Sequence, residues 1–425
     1  MATDVDVQYF SHLNGLVLDN NWGDMIRLLD ACLVNGVELP SVTSASIDEQ
    51  GDVHLTLFSP HKAMLLQVVE LAGFEPVSLN QKYRIKGIPS PTQLILKPQN
   101  TIVETAVTTK GVSKLASLGY DMVFRDANDV KRVYRAKNPT ARHPYIRVDE
   151  SLTSLDGVSG VYSSAYAKSA MVGLLEHMDH IDDFRNPEVL QLPMDTANLT
   201  KNWEINGTSG DVIRGWSRWH YANNGNYVMG GDGESLIPHN GARNFTLIGD
   251  QDCFYLDRSM TAGSVDKILC GCGLFNSALP DDVVPPWFLA AYTRINTANN
   301  GLYYANQARD TGTHPFMFGA NEASVQLPKF DALRRISNSQ WAIPLMPSYA
   351  SGGADYYKNN VAALEIPLVD SDTYLRGTFK HIAYSGKALG SVNTSPFISE
   401  NSMYVYDSLS IFRSVGGICF YLGEL

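Results

Sequence analysis

Val53-His54-Leu55-Thr56-Leu57 alternates apolar and polar side chains, and Tyr83-Arg84-Ile85-Lys86-Gly87-Ile88 does the same. A period of two sends every second side chain to one face, as a half-buried strand requires. Both runs lie within Val42 to Lys97, which also holds the apolar stretches Leu65 to Leu71 and Leu94-Ile95-Leu96. Turn formers separate them at Asp48 to Gly51, Ser59-Pro60, Ser78 to Asn80 and Pro89-Ser90-Pro91. So many short strands in so short a stretch predict a small β-barrel or sandwich. Inside it, Lys62 to Ala72 has a helix as its alternative.

Upstream, Asn20 to Leu33 carries a different period. Met25, Ile26, Leu28, Leu29, Cys32 and Leu33 recur at the spacing of one helix face. Asn20 or Asn21 is the expected cap, and Gly36 follows the end. Downstream, strands are predicted over Ile102 to Thr108, Val130 to Arg135, Tyr145 to Val148, Lys168 to Leu175, Asn244 to Ile248, Cys253 to Leu256 and Lys267 to Phe275. More follow over Ala363 to Ile366, Tyr374 to Ile382, Met403 to Tyr406 and Gly417 to Leu422. Pro193 to Asn240 and Pro280 to Asp355 lack periodicity and read as long loops. The expected fold is mainly β with a short N-terminal helix. Its parts are an N-terminal helical segment over 1–40, a small β domain over 41–98 and a larger loop-rich β domain over 99–425.

Composition agrees with that class. Hydrophobic residues make up 44% of the 425 positions, enough to bury sizeable cores, and charged residues only 18%. Thirty-four glycines and 21 tyrosines suit turns, strands and broad contacts. A net charge of −11 argues against coating nucleic acid, so no specific nucleic acid is expected as partner. Five scattered cysteines fit a reducing compartment. Met1-Ala2-Thr3-Asp4 shows no basic region or apolar run, and no stretch is long enough to cross a bilayer. A soluble chain without a secretory leader, made in the cytoplasm and without a membrane partner, is therefore expected.

The candidate sites are weak as motifs. His177 and His180, with Glu176, Asp179, Asp182 and Asp183, have the residue types of a cation site but no second paired cluster. Cys270-Gly271-Cys272 reads as two small strand residues, since their spacing resists bridging. Trp203, Trp216, Trp219, Tyr221 and Tyr227 would suit either a sugar-stacking surface or a buried core. Gly230-Gly231-Asp232-Gly233-Glu234 lacks the Lys-Ser/Thr that follows in a phosphate loop. Asp182-Asp183 and Asp281-Asp282 are neighbours in sequence and would point apart on a strand. No catalytic, cofactor-binding or metal residue is assigned, no cofactor is expected, and the chain is read as not an enzyme. Arg125 to Arg147 carries a balance of +5 and Met1 to Pro40 one of −5, which suits either solvated faces or complementary docking.

Several short segments, in order, resemble one family. They are Asn20-Asn21-Trp22-Gly23-Asp24, Leu28 to Gly36, Leu79 to Ile85, Leu118-Gly119-Tyr120, Val133-Tyr134-Arg135 and Ile146 to Glu150. Phe245 to Asp250, Phe254-Tyr255-Leu256 and Leu375-Arg376-Gly377 follow later in the chain. Together they are similar to the tail and baseplate structural proteins of tailed, and specifically contractile-tailed, bacteriophages. The chain departs from that family at Gly119-Tyr120, where Gly-Trp is usual, and at Gln81, which replaces a turn glycine. The resemblance implies a virion protein of the tail or baseplate, assembled in the host cytoplasm. Its partners would be copies of itself and other tail or baseplate subunits. The competing readings are a receptor-binding adhesin, a tail-associated hydrolase and a capsid decoration protein.

Overall fold

In the computed structural model, described over residues 3–154, 160–207, 212–224, 235–264, 267–279, 284–296, 302–304, 325–331, 336–345, 364–384, 394–411 and 414–425, the chain is mainly β with one short helix near its N-terminus. Every strand pairing described is antiparallel.

The stretch that decided the fold class supplies five strands of a seven-stranded half-barrel. Its order is Val37–Glu38, Val112–Leu115, Val68–Ala72, Lys82–Ser90, Gln93–Pro98, Val53–Leu57 and Val42–Ile47. Val53, Leu55 and Leu57 are buried while His54 and Thr56 are half-buried, as the alternation requires. Lys62 to Ala72 resolves as the strand Val68–Ala72, not a helix. One expected strand is absent: Ile102 to Thr108 has no ladder, and Glu75 and Thr109 meet at a single isolated bridge beside it. Val112–Leu115, polar at Ser113 and Lys114, takes the sheet position instead.

The helix runs from Asp24 to Leu29 and continues as a π-helical turn over Asp30–Asn35. It starts later than Asn20, and neither Asn20 nor Asn21 caps it. Gly23 stands at the cap with φ 86° and has no side chain to offer. The carboxylate of Glu150 accepts from Gly23 N at 3.2 Å and Ile26 N at 3.1 Å in its place. At the other end Gly36 (φ 75°) lies so close to the Leu115 carbonyl that a Cβ would sit 2.3 Å from it.

A thirteen-stranded sheet forms the largest element, with Gln8–Ser11, Phe245–Gly249, Cys253–Arg258 and Ile268–Leu274 at one end. Leu375–Tyr384, Ser414–Glu424, Ser402–Ile411 and Ser395–Ser399 lie at the other. The N- and C-terminal segments approach one another, since Asp4 N donates to Glu424 O at 2.9 Å and Glu424 N to Asp4 Oδ2 at 2.8 Å. An eight-stranded sheet contains Ser217–Ala222, Lys168–Leu175, Tyr145–Asp149, Lys131–Ala136 and, last, Tyr120–Arg125.

Pro193 to Asn240 and Pro280 to Asp355 are not simply long loops. Ser217–Ala222 crosses the first, and Trp287–Ala290, Val325–Asp331 and Ile336–Pro344 cross the second. Their period was hidden because Ser217–Ala222 and Trp287–Ala290 are buried at every position, leaving no polar face to alternate with. Cys253–Arg258 is likewise buried at every position, although its apolar run already marked it as a strand. Phe254 and Leu256 face the core that holds the helix and half-barrel, while Cys253 and Tyr255 face a second core with Val405, Ile418 and Phe420.

Candidate functional site

A cleft of about 650 Å³ opens where Leu375–Tyr384, Ser395–Ser399, Ser402–Ile411 and Ser414–Glu424 lie side by side. That volume is of the order of small-ligand sites. Three rings form one wall: Phe397 stacks on Tyr404 at 5.3 Å, and Tyr404 lies 5.5 Å from Tyr421. Cross-strand pairing puts them there, since Phe397 sits opposite Tyr404 and Tyr404 opposite Tyr421.

Asp250, Lys380 and His381 form the polar wall. His381 Nε2 lies 2.8 Å from Asp250 Oδ2, and Lys380 Nζ donates to Asp252 Oδ2 at 2.6 Å. The other Asp252 oxygen meets His143 Nε2 at 2.9 Å. The His143 contact, helped by Lys380 against partial burial, holds the Asp252 carboxyl well below the usual range. Burial works against the Lys380 ammonium, yet its bond to Asp252 outweighs this and raises it. Asp250, Cys253 and His381 bring ligand-type atoms within 4.8 Å of one another. That group is already satisfied, because Asp250 Oδ1 accepts from Asp252 N and Cys253 N while Oδ2 faces His381. Burial pushes the Cys253 thiol up, away from the thiolate a metal needs. The cleft can stack a ring and hydrogen-bond a polar ligand; among the described residues that line it, Asp250 is paired with His381 and Lys380 with Asp252.

The residues singled out in sequence do not converge here. His177 and His180 stay exposed, with His177 Nε2 3.0 Å from Asp179 and His180 Nδ1 accepting from Asp182 N. Asp182 is held by Lys131 and Arg147, and Asp183 accepts from Asp179 N, so the two carboxylates face different partners. Cys270 and Cys272 are buried free thiols in the first core, and burial raises both. Trp203, Trp219 and Tyr221 are buried, which removes them from any exposed sugar platform. Trp219 Nε1 donates to Ala290 O at 3.0 Å, and Arg147 stacks 4.1 Å above Trp203. Tyr227, Gly230 to Glu234 and Asp281-Asp282 fall outside the described residues.

The two charged segments meet each other inside the chain. Arg132 Nε contacts Asp30 at 3.2 Å, and Tyr134 donates to the same carboxylate at 2.7 Å. Other basic residues of the segment also find internal partners, such as Arg125 with Asp129 and Arg147 with Asp149.

A separate polar cluster, which no motif announced, lies at the end of the second core. Lys267, Asp257 and Asp407 are fully buried there, beside Thr246 and Thr394. The traces in sequence are the charged pair Asp257-Arg258 closing the run Cys253 to Leu256 and Asp266-Lys267 before another apolar run.

No protein-family model matches the chain, and no curated protein matches it.

Proposed function

We propose that this chain is a non-enzymatic structural component of a bacteriophage particle, placed in the tail or baseplate and holding neighbouring virion proteins by extended interfaces. The observation that carries this reading is how the buried guanidinium groups are used. Arg84 donates to the carbonyls of Asp4, Val7, Leu66 and Leu422, tying both terminal segments to the half-barrel. Arg214 donates to Ser151, Asp149 and Ser169 carbonyls, and Arg258 to His220 and Ile268 carbonyls. Guanidinium is a rigid fork of donors that stays charged, so it serves as a brace between backbone segments far apart in sequence. These charges lock the frame and do not aim at a substrate. The sheets also end in strands that can take a neighbour. Among the described residues Ser395–Ser399 ends the large sheet, with Phe397 and Ile398 exposed, and Tyr120–Arg125 and Val42–Ile47 end the eight- and seven-stranded sheets.

Cryo-electron microscopy of the purified particle tests the reading. The chain is expected as repeated copies in a tail or baseplate ring. Its absence from purified, infectious particles would overturn the assignment.

The three-ring wall of the cleft favours a second reading, a receptor-binding surface protein. Aromatic faces lining the same cleft as Asp250, Lys380 and His381 are the residue types that stack and hydrogen-bond a sugar. Binding of host surface glycans by the isolated chain, abolished by Tyr404→Ala, would support it. Equal binding by that variant would remove it.

A further inference from the structure

Lys267 Nζ lies 2.5 Å from Asp407 Oδ1 and 3.8 Å from Asp257 Oδ2, and all three side chains are fully buried. They come from separate stretches of chain: Asp257 from Cys253–Arg258, Lys267 from the entry to Ile268–Leu274, and Asp407 from Ser402–Ile411. By strand alternation Asp257 shares a face with Tyr255, and Asp407 with Val405, both of the second core. Thr246, directly across from Asp257 in the ladder, donates to Asp407 Oδ2 at 2.7 Å. Its hydroxyl also meets Thr394 at 2.6 Å, which in turn lies 3.1 Å from Ser11.

A plain ion pair does not account for this arrangement. One ammonium and one carboxylate already balance, and burying even that pair gives little net stability. A second carboxyl beside it adds a further desolvation cost, and neither Asp257 oxygen finds a hydrogen-bond donor. Burial, reinforced by the neighbouring Asp407, pushes the Asp257 carboxyl well up from its ordinary value although Lys267 opposes this. The site therefore contains an amine, a carboxyl group in contact with it, and a neighbouring acid able to carry a proton, all shielded from water.

We propose that Lys267 and Asp407 become joined by an intramolecular amide bond, an isopeptide cross-link formed by the folded chain itself with Asp257 as the proton carrier. The inference is independent of the virion assignment. Transfer of one proton from the Lys267 ammonium to the Asp407 carboxylate leaves a neutral amine against a carboxylic acid. The amine lone pair attacks Asp407 Cγ, forming the C–N bond. Thr246 donates to Oδ2 as negative charge gathers there, which is the role of an oxyanion-hole donor. Asp257 gives its proton to the departing Oδ1 hydroxyl and takes one from the nitrogen, so it ends as it began. The Cγ–Oδ1 bond breaks and one water leaves. Amine and acid become amide and water, with no oxidant, cofactor or activated group required. Fixed contact replaces a bimolecular encounter, and a dry pocket resists the reverse hydrolysis.

Intact-mass spectrometry of the full chain under denaturing conditions, followed by peptide mapping, tests this. The expected mass is lower than the sequence mass by one water. The map should contain a branched peptide joining the segment with Lys267 to the segment with Asp407. Lys267→Arg should restore the full mass, and Asp257→Asn should leave a folded chain without the branch. A folded wild-type chain at full mass with the two peptides separate would overturn the proposal. So would a lost water confined to a cyclic imide at Asp407. A branch that persists in Asp257→Asn would overturn the role given to Asp257. The wild-type measurement decides the main point even if a variant fails to fold.

Discussion

Glu150 caps a helix whose N-cap, Gly23, lies 127 residues earlier, and it also accepts from the Tyr221 hydroxyl at 2.5 Å. Burial pushes its carboxyl up from 4.5 to about 7, although Tyr221, the two helix N–H groups and Arg214 all favour the charged form. In the unfolded chain the group titrates near its ordinary value. Between the two values the folded state holds the proton and the unfolded state releases it, so this group's contribution falls as pH rises from about 4.5 to about 7. Below that window both states are protonated, and above it both are ionised. A shift of this size corresponds to about 3 kcal/mol. Glu150→Gln keeps the size and an acceptor for the helix N–H groups but cannot ionise. Urea unfolding across that window should show stability falling with pH in the wild type and a flatter profile in Glu150→Gln. Parallel profiles would place the pH dependence elsewhere. Nothing in sequence announced Glu150 as a cap, because the local candidates Asn20 and Asn21 lie nearer and have the preferred side chains.

At the scale of elements two kinds of strand were legible, those that alternate and apolar runs such as Lys168–Leu175 and Ile268–Leu274 that are buried throughout. Val53–Leu57 alternates buried and half-buried residues, so its period survives in sequence. The helix exposes only Arg27 among Asp24–Leu29, and Lys82–Ser90 alternates in residue type although Tyr83, Arg84 and Ile85 are all buried. Gln8–Ser11 and Ser217–Ala222 are buried at every position and show no period. Sites were harder still. The cleft draws His381, Phe397, Tyr404 and Tyr421 from separate strands and Asp250 from the turn before Cys253, and pairing register rather than spacing brings the rings together. The helix tests the core reading directly. Leu29 has no exposed surface and packs in the first core, which extends to the half-barrel and the eight-stranded sheet. Leu29→Ala should lower the free energy of unfolding by about 2–5 kcal/mol, and Leu29→Asp by more, since it buries an unpaired carboxylate. Unchanged urea midpoints would place that face outside the core.

Over the whole molecule, protection of backbone amides should follow sheet position. Cys253–Arg258 and Ile268–Leu274 have strands on both sides and a core on each face, so their amides should open last. Ser395–Ser399 has a partner on one side among the described residues, and its residues are half-buried or exposed. Tyr120–Arg125 is placed similarly, with every second residue exposed. Amides on the outer side of such strands have no ladder acceptor and should exchange fast in the free chain. If the chain serves as a joint in a particle, a neighbour that adds a strand or covers the edge gives those amides acceptors and excludes water. Hydrogen exchange on free chain and on purified particles separates the two cases. Assembly should slow the edge amides at least about tenfold while leaving the central strands, already protected, unchanged. Equal exchange at both edges would mean that neighbours grip other surfaces. The exposed Val77 and Val103, which flank the Ser78–Glu104 hydrogen bond in sequence, would then be the next surface to probe.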